Sequence, residues 1–230
     1  MKIHGLQKLT LLDYPGRMAC TVFLGGCNLR CPFCHNSELL DAAAPAEMDE
    51  QALLDFLKKR VGMLEGVCFT GGEPLLRPEL PALMEQIRSM GYLVKLDTNG
   101  TMPARLRQVL EGGCADYVAM DIKHDPARYA RTSGLADMEL QPVYESIELL
   151  RSGGVDYEFR TTVVDELHDA DSFRAIGPMI RGARRYYLQP FTDRDTVMFA
   201  GFHAPEKEKL LAYADIVRPD VDRVEIRGLT

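Results

Sequence analysis

One pattern dominates this chain of 230 residues: a short apolar run rich in β-branched and aromatic residues, then a stretch of helical period, repeated. The first run is MACTVFLGG (18–26), which ends at glycines and reads as a buried strand. Residues 48–63 follow, with Leu53, Leu54, Phe56, Leu57 and Val61 near helical spacing behind an acidic first turn. GVCFT (66–70) then precedes a helix over 78–90, with proline early in it, and YLVKLDT (92–98) precedes one over 104–110. DYVAMDI (116–122) is paired with 140–150, YEFRTTVV (157–164) with 170–180, and RYYLQPF (185–191) with 205–213. VDRVEI (221–226) suits a final strand or a terminal edge.

Strands alternating with helices imply right-handed crossovers and a parallel sheet. Six units exceed a small doubly wound domain and fall short of an eight-unit barrel, so the expected fold is α/β, a partial (β/α)6 barrel of the TIM type. A hydrophobic fraction of 46% over this length supports one core rather than two domains, and no linker interrupts it, so residues 1–230 read as a single domain.

Polar residues collect where the proposed strands end. Cys27 follows the first, Gly71, Gly72 and Glu73 the second, Asp97, Thr98 and Asn99 the third, Asp121 and Lys123 the fourth. Arg160 lies within the fifth and Gln189 closes the sixth. In a parallel barrel these ends share the ligand-binding face.

GGCNLRCPFCHN (25–36) puts three of the six cysteines within eight residues. That density is foreign to a disulfide scaffold in a chain this long. Thiolates on one tight loop suit an iron–sulfur cluster, zinc or copper. Zinc usually takes four protein ligands, and His35 adjoins Cys34 too closely for both to reach one ion, though Cys68 or Cys114 would complete a zinc site if the fold brought either over. A four-iron cubane on three cysteines leaves one iron open to a small molecule, and the spacing favours it. Cys20 and Cys68, inside apolar strands, read as core residues, and Cys114 as a helix–strand junction residue.

Net charge is -7 and no basic block occurs, which disfavours nucleic acid as the main ligand. No segment approaches the ~20 apolar residues of a membrane span and none resembles a leader, so a cytoplasmic setting is expected, with no membrane partner.

Cysteine, three residues, cysteine, two residues, cysteine is also the hallmark of the radical S-adenosylmethionine superfamily, which the chain resembles over nearly its whole length. The usual fold there is a full or partial (β/α) barrel. FTGGEP (69–74) looks like that family's glycine-rich segment, which pairs with the amino group of the cofactor. LTLLDYPG (9–16), LRCPFCHN (29–36), LDTNG (96–100), MDIK (120–123) and the closing EIRG (225–228) resemble glycyl-radical-enzyme activating proteins, above all the longer anaerobic ribonucleoside-triphosphate reductase activators.

The resemblance implies one [4Fe-4S] cluster on Cys27, Cys31 and Cys34, with the amino and carboxylate groups of S-adenosylmethionine on the fourth iron. Reduction then yields a 5′-deoxyadenosyl radical that takes hydrogen from a glycine of a partner, anaerobic ribonucleotide reductase first of all. Another glycyl-radical enzyme such as pyruvate formate-lyase, or a small molecule as in deazapurine synthases, is the alternative. A flavodoxin- or ferredoxin-like electron donor is implied too.

By the same resemblance Phe33, His35 and Asn36 surround the adenine, with loop packing an equal role for Phe33. Gly71, Gly72, Glu73 and Pro74 meet the cofactor, although Glu73 suits a turn cap as well. Asp97, Thr98 and Asp121 match positions that place a monovalent cation beside the cofactor carboxylate, and Asn99 and Gln189 join the cofactor face. Lys123 is expected to orient cofactor or partner, and His124 to be an ordinary loop residue. Asp13 and Arg160 are the charged residues expected nearest the partner's loop at the barrel mouth; a turn-forming Asp13 and a paired structural Arg160 are the plainer readings. Thr192 stands where the pyruvate formate-lyase activator has histidine, so the contact there must differ.

Overall fold

The computed structural model describes residues 1–228. The chain opens with β1 (Lys2–Ile3), β2 (Gly5–Thr10) and β3 (Ala19–Leu24), then β4 (Met48–Asp49) and α1 (Glu50–Lys58). Next come β5 (Gly66–Gly71), α2 (Leu80–Ser89), β6 (Leu93–Thr98), α3 (Pro103–Glu111) and β7 (Tyr117–Asp121). A short α4 (Tyr129–Thr132) precedes α5 (Gln141–Ser152), and β8 (Asp156–Val163), α6 (Ala170–Met179), β9 (Tyr186–Pro190), α7 (Lys207–Val217) and β10 (Val224–Ile226) complete it.

Eight strands form one sheet in the order β10-β9-β8-β7-β6-β5-β3-β2. All neighbours run parallel except β2, which pairs antiparallel with β3. Among the described residues β10 and β2 do not pair, so the barrel stays open along that side. The six strand–helix units expected from the periodicity are present as β3–α1, β5–α2, β6–α3, β7–α5, β8–α6 and β9–α7. β10 is the edge strand, in register Val224↔Tyr186. The N-terminal hairpin β2–β3 was not legible in the polar run GLQKLT, whose middle residues are exposed.

The period of two sorts each strand. Val22, Val67, Phe69, Val94, Leu96, Val118, Met120 and Phe159 turn outward into one core shared with Leu53, Leu57, Leu83, Ile87 and Ile147 of the helices. Many of the intervening positions turn inward and are polar, among them Thr21, Thr70, Lys95, Asp97, Asp121, Glu158, Arg160 and Thr162. Cys20 lies in the outward core and Cys68 in a small inward cluster with Tyr14, Ala19 and Tyr117. Cys114, 6% exposed, sits between α3 and β7 in the outward core. No helix of the described residues is long and apolar enough to cross a membrane.

Candidate active site

The cysteine loop leaves the C-terminal end of β3 and is held by its neighbours' backbone. Gly26 N–H donates to the Leu39 carbonyl at 2.8 Å, Arg30 N–H to the Ser133 carbonyl at 2.8 Å, and Cys34 N–H to the Cys31 carbonyl at 3.1 Å. Upstream, Gly25 N–H donates to His4 Nδ1 at 2.8 Å, and Arg77 donates to the Gly25 carbonyl. Phe33 is 4% exposed and packs with Leu29, Cys31, Val164 and Phe191 in a small core under the loop.

Glycines let the second segment pass under this loop. A Cβ at Gly72 would collide with the Gly26 carbonyl oxygen, and one at Gly71, whose φ is +121, with the backbone of Leu24. Only glycine tolerates both. Gly72 N–H donates to the Leu24 carbonyl and Glu73 N–H to the Gly26 carbonyl, each at 2.8 Å.

Cys27, Cys31 and Cys34 line a cavity of about 490 Å³ together with Phe33, His35, Asn36, Gly71, Gly72, Asp97, Thr98, Asn99, Asp121, Lys123, Arg160 and Gln189. Most of the residues singled out from sequence therefore meet in one place. Glu73 and Pro74 are not on its wall. Glu73 is fully buried behind it, accepting from Thr98 Oγ1 at 2.9 Å, Asn99 N–H at 2.7 Å and Leu75 N–H at 3.1 Å. It caps a turn and ties two strand ends together, and burial pushes its carboxyl up to about 7 against those hydrogen bonds.

His35 Nε2 is 2.7 Å from the Thr192 carbonyl and its ring stacks on Phe191 with centroids 5.2 Å apart. The side chain of Thr192 is off the wall, and Arg194 lines the cavity instead. Asn36 Nδ2 donates to the Gly71 carbonyl at 3.2 Å, and Asn99 Nδ2 to Asn28 Oδ1 at 2.9 Å.

The inward charges form one chain across β6, β7 and β8. Arg160 Nε reaches Asp121 Oδ1 at 2.5 Å and its Nη2 reaches Asp97 Oδ2 at 3.1 Å. Lys123 Nζ takes Asp121 Oδ2 at 2.8 Å, and Lys95 Nζ takes Asp97 Oδ1. Burial alone would raise both carboxyls; Arg160, with Lys95 at Asp97 and Lys123 at Asp121, outweighs it and holds both below the usual carboxylate range. Lys123 is shifted upward for the matching reason: burial opposes its charge and Asp121 overcomes the opposition.

Lys95 was missed in the sequence although the signal was there: a cation inside an apolar strand needs a partner, the argument already applied to Arg160. Asp13 reaches the cavity from a loop that the sequence did not reveal. It belongs to the β2–β3 loop, at the N-terminal end of β3, and accepts from Thr21 Oγ1 at 2.5 Å. It still lines the cavity, which reaches from the cysteine loop down to Leu12 and Asp13. His124 is no ordinary loop residue: it is fully buried and stacks on His168 at 4.5 Å.

The donor set fits an iron–sulfur cluster. Burial pushes the Cys27 thiol up and the Cys31 thiol up to about 11, so thiolates there need a metal's positive charge. Among the described residues no three His, Cys, Asp or Glu side chains converge as one bound ion requires. A cubane takes each thiolate on a different iron and suits such a spread set better than one zinc ion does. The monovalent cation does not fit, because all four oxygens of Asp97 and Asp121 already face the protein's own cations.

A partial parallel barrel with three cysteines on its first strand-end loop and a polar, charged interior defines the class: residues 21–173 match the Radical SAM superfamily, and the chain belongs to it. The class is that of enzymes using S-adenosylmethionine and an iron–sulfur cluster. Within it the chain is akin to glycyl-radical-enzyme activators. It is 27% identical to a Methanocaldococcus jannaschii protein whose name proposes a glycyl-radical enzyme activating enzyme, over 99% of this chain and 96% of that one. It is 30% identical to the pyruvate formate-lyase-activating enzyme of Clostridium pasteurianum over 80% and 77% of the two chains. It is also 30% identical to a 7-carboxy-7-deazaguanine synthase of Hyperthermus butylicus over 78% and 71%. A radical SAM methyltransferase from Sphaerobacter thermophilus, 18% identical, superposes with a TM-score of 0.73 over 95% of this chain and 68% of its own, a likeness of fold.

Proposed function

We propose that the protein is a glycyl-radical-enzyme activator, acting on pyruvate formate-lyase or another enzyme of that kind. The observation that supports it best is the likeness to an activating enzyme along 99% of the chain. When bound, the cluster and S-adenosylmethionine supply a 5′-deoxyadenosyl radical, with the electron coming from a flavodoxin- or ferredoxin-like donor. The chain's own residues bind and aim: Cys27, Cys31 and Cys34 hold iron, Asn36 pins the cysteine loop to Gly71, and Arg160 and Lys123 present positive charge to an anionic group. Phe33 and His35 wall the cavity against water. A glycine Cα held close enough to react would give its hydrogen atom to the 5′ carbon of that radical, so that 5′-deoxyadenosine is released and the glycyl radical stays on the partner.

The cavity runs to Leu12, 85% exposed on the open edge of the sheet, which gives an extended peptide a way in. Activation of anaerobic ribonucleoside-triphosphate reductase rests on the short sequence segments alone, whereas a relative is a pyruvate formate-lyase activator. Reconstituted protein, reduced anaerobically with S-adenosylmethionine, is to be mixed with each partner in turn and read by electron paramagnetic resonance. A glycyl doublet on either assigns the activator; its absence from both sinks the reading.

A second reading draws on the 30% identity to a deazaguanine synthase. Cofactor turnover stimulated by a pterin-like small molecule, with no radical on protein, would favour it.

A further inference from the structure

Two buried histidines stand behind the cavity wall without lining it. His124 follows Lys123 just beyond the end of β7, and His168 lies in the loop between β8 and α6. Their rings stack with centroids 4.5 Å apart. Asp125 N–H donates to His124 Nδ1 at 2.7 Å, and Val164 N–H to His168 Nδ1 at 3.1 Å. Each Nδ1 is therefore an acceptor, which assigns the proton of each ring to Nε2. His124 Nε2 donates to the Leu167 carbonyl at 2.8 Å, and His168 Nε2 to the Lys123 carbonyl at 3.1 Å. The two loops thus exchange hydrogen bonds across the stack, each histidine reaching the other loop's backbone. Burial lowers the pKa of both rings, that of His168 to about 4, and outweighs the Asp125 carboxylate beside His124. Arg128 ties the same two loops from outside, through Asp125 at 2.8 Å and Asp169 at 2.8 Å. The ladder between β7 and β8 ends at Asp121↔Arg160, so the backbone of Lys123 lies past it, where His168 holds its carbonyl. The ammonium of the same residue sits on Asp121 Oδ2 at 2.8 Å and lines the cavity.

We propose that His124 and His168 are a positioning pair, a clasp across the ends of β7 and β8 that fixes Lys123 on the cavity wall and with it the wall's affinity for the cofactor. The affinity clause rests on S-adenosylmethionine occupying the cavity; the clasp itself does not.

Competitive acetylation of the reconstituted full chain with acetic anhydride, read residue by residue by mass spectrometry, tests the clasp. The Lys123 side chain is 17% exposed, against 61% for Lys58 and 2% for Lys95. His168→Phe keeps a stacking ring and loses the bond to Lys123, so labelling of Lys123 rises about fivefold while that of Lys58 is unchanged. Lys95, buried in the neighbouring β6, stays protected, which a general loosening of the fold would not allow. His168→Gln carries an amide that reaches the same carbonyl and returns Lys123 to the wild-type rate. His168→Asn is too short to reach it and decides the matter if His168→Phe does not fold. Affinity gives the second reading: His168→Phe keeps its iron and binds S-adenosylmethionine about fivefold more weakly, and His168→Gln binds it as wild type does. Wild-type labelling of Lys123 in the loss variant overturns the clasp, as does a rise that Lys95 shares. A released Lys123 with unchanged affinity overturns its part in cofactor binding. Failure of the cofactor reading looks different: wild type binds no S-adenosylmethionine, and the labelling still decides the clasp.

Discussion

The two faces of the sheet follow different rules. On β8, Tyr157 and Phe159 point outward and bury apolar surface, while Glu158 and Arg160 point inward, the first fully buried and the second half-buried on the cavity wall. Phe159 needs only neighbours of suitable shape, and gains roughly 1.5–3 kcal/mol by leaving water. Arg160 costs free energy on leaving water and stays only because Asp97 and Asp121 face it. Shape makes the outward face tolerant; pairing makes the inward face unforgiving, and it is the inward face that lines the cavity.

The largest break is at the rim. Cys31→Ala removes one of three thiolates and should abolish stable iron and sulfide binding, whereas Cys20→Ala on the outward face should retain both; normal iron and sulfide in Cys31→Ala would strike it from the ligand set. Next, Phe69→Ala and Arg160→Met should each cost about 3–5 kcal/mol in denaturant unfolding, for different reasons. The difference shows in a double-mutant cycle: Asp97→Asn should recover part of the Arg160→Met loss, and nothing at Phe69. Additive losses at Arg160 and Asp97 would mean that their ion pair contributes little.

Acidity separates two kinds of buried carboxyl. Glu73 is raised to about 7 in the fold, so the stability it contributes is present below its ordinary value near 4.5 and lost as pH rises through about 7. Asp97 and Asp121 are depressed, so their contribution is present above the ordinary value near 3.8 and lost as pH falls below it. Glu73→Gln should therefore flatten the stability profile between pH 4.5 and 7 and leave the acid limb in place. An unchanged profile would show that the three hydrogen bonds to Glu73 outweigh its burial. The smallest effect is expected from Thr98→Val, which deletes one of those bonds at a cost of about 1 kcal/mol, measured in the same unfolding experiment.

The strands that were legible share a cause. β3, β5, β6, β7, β8 and β9 place apolar residues, many of them β-branched or aromatic, at outward core positions, so periodicity revealed them. β2 escaped because an edge strand buries little, so the route by which Asp13 reaches the cavity, through the loop between β2 and β3, was not legible. Glu73 was legible as a polar strand-end residue, but not its turning away from the cavity, which depends on Thr98 and Asn99, 25 and 26 residues later.

What the sequence determined by itself is whatever local order encodes. The alternation of periods two and 3.6 specifies a parallel open barrel, and the spacing of three cysteines on one loop is what raises the expectation of a thiolate metal site. What only the tertiary structure decided is pairing. β6, β7 and β8 are neighbours in the sheet, with Asp121 opposite Arg160 and Asp97 opposite Ala119, and this register brings Lys95, Arg160 and Lys123 onto two carboxylates. Coulomb energy depends on distance through space, and residues 97 and 160 become close only once the strands between them have taken their places.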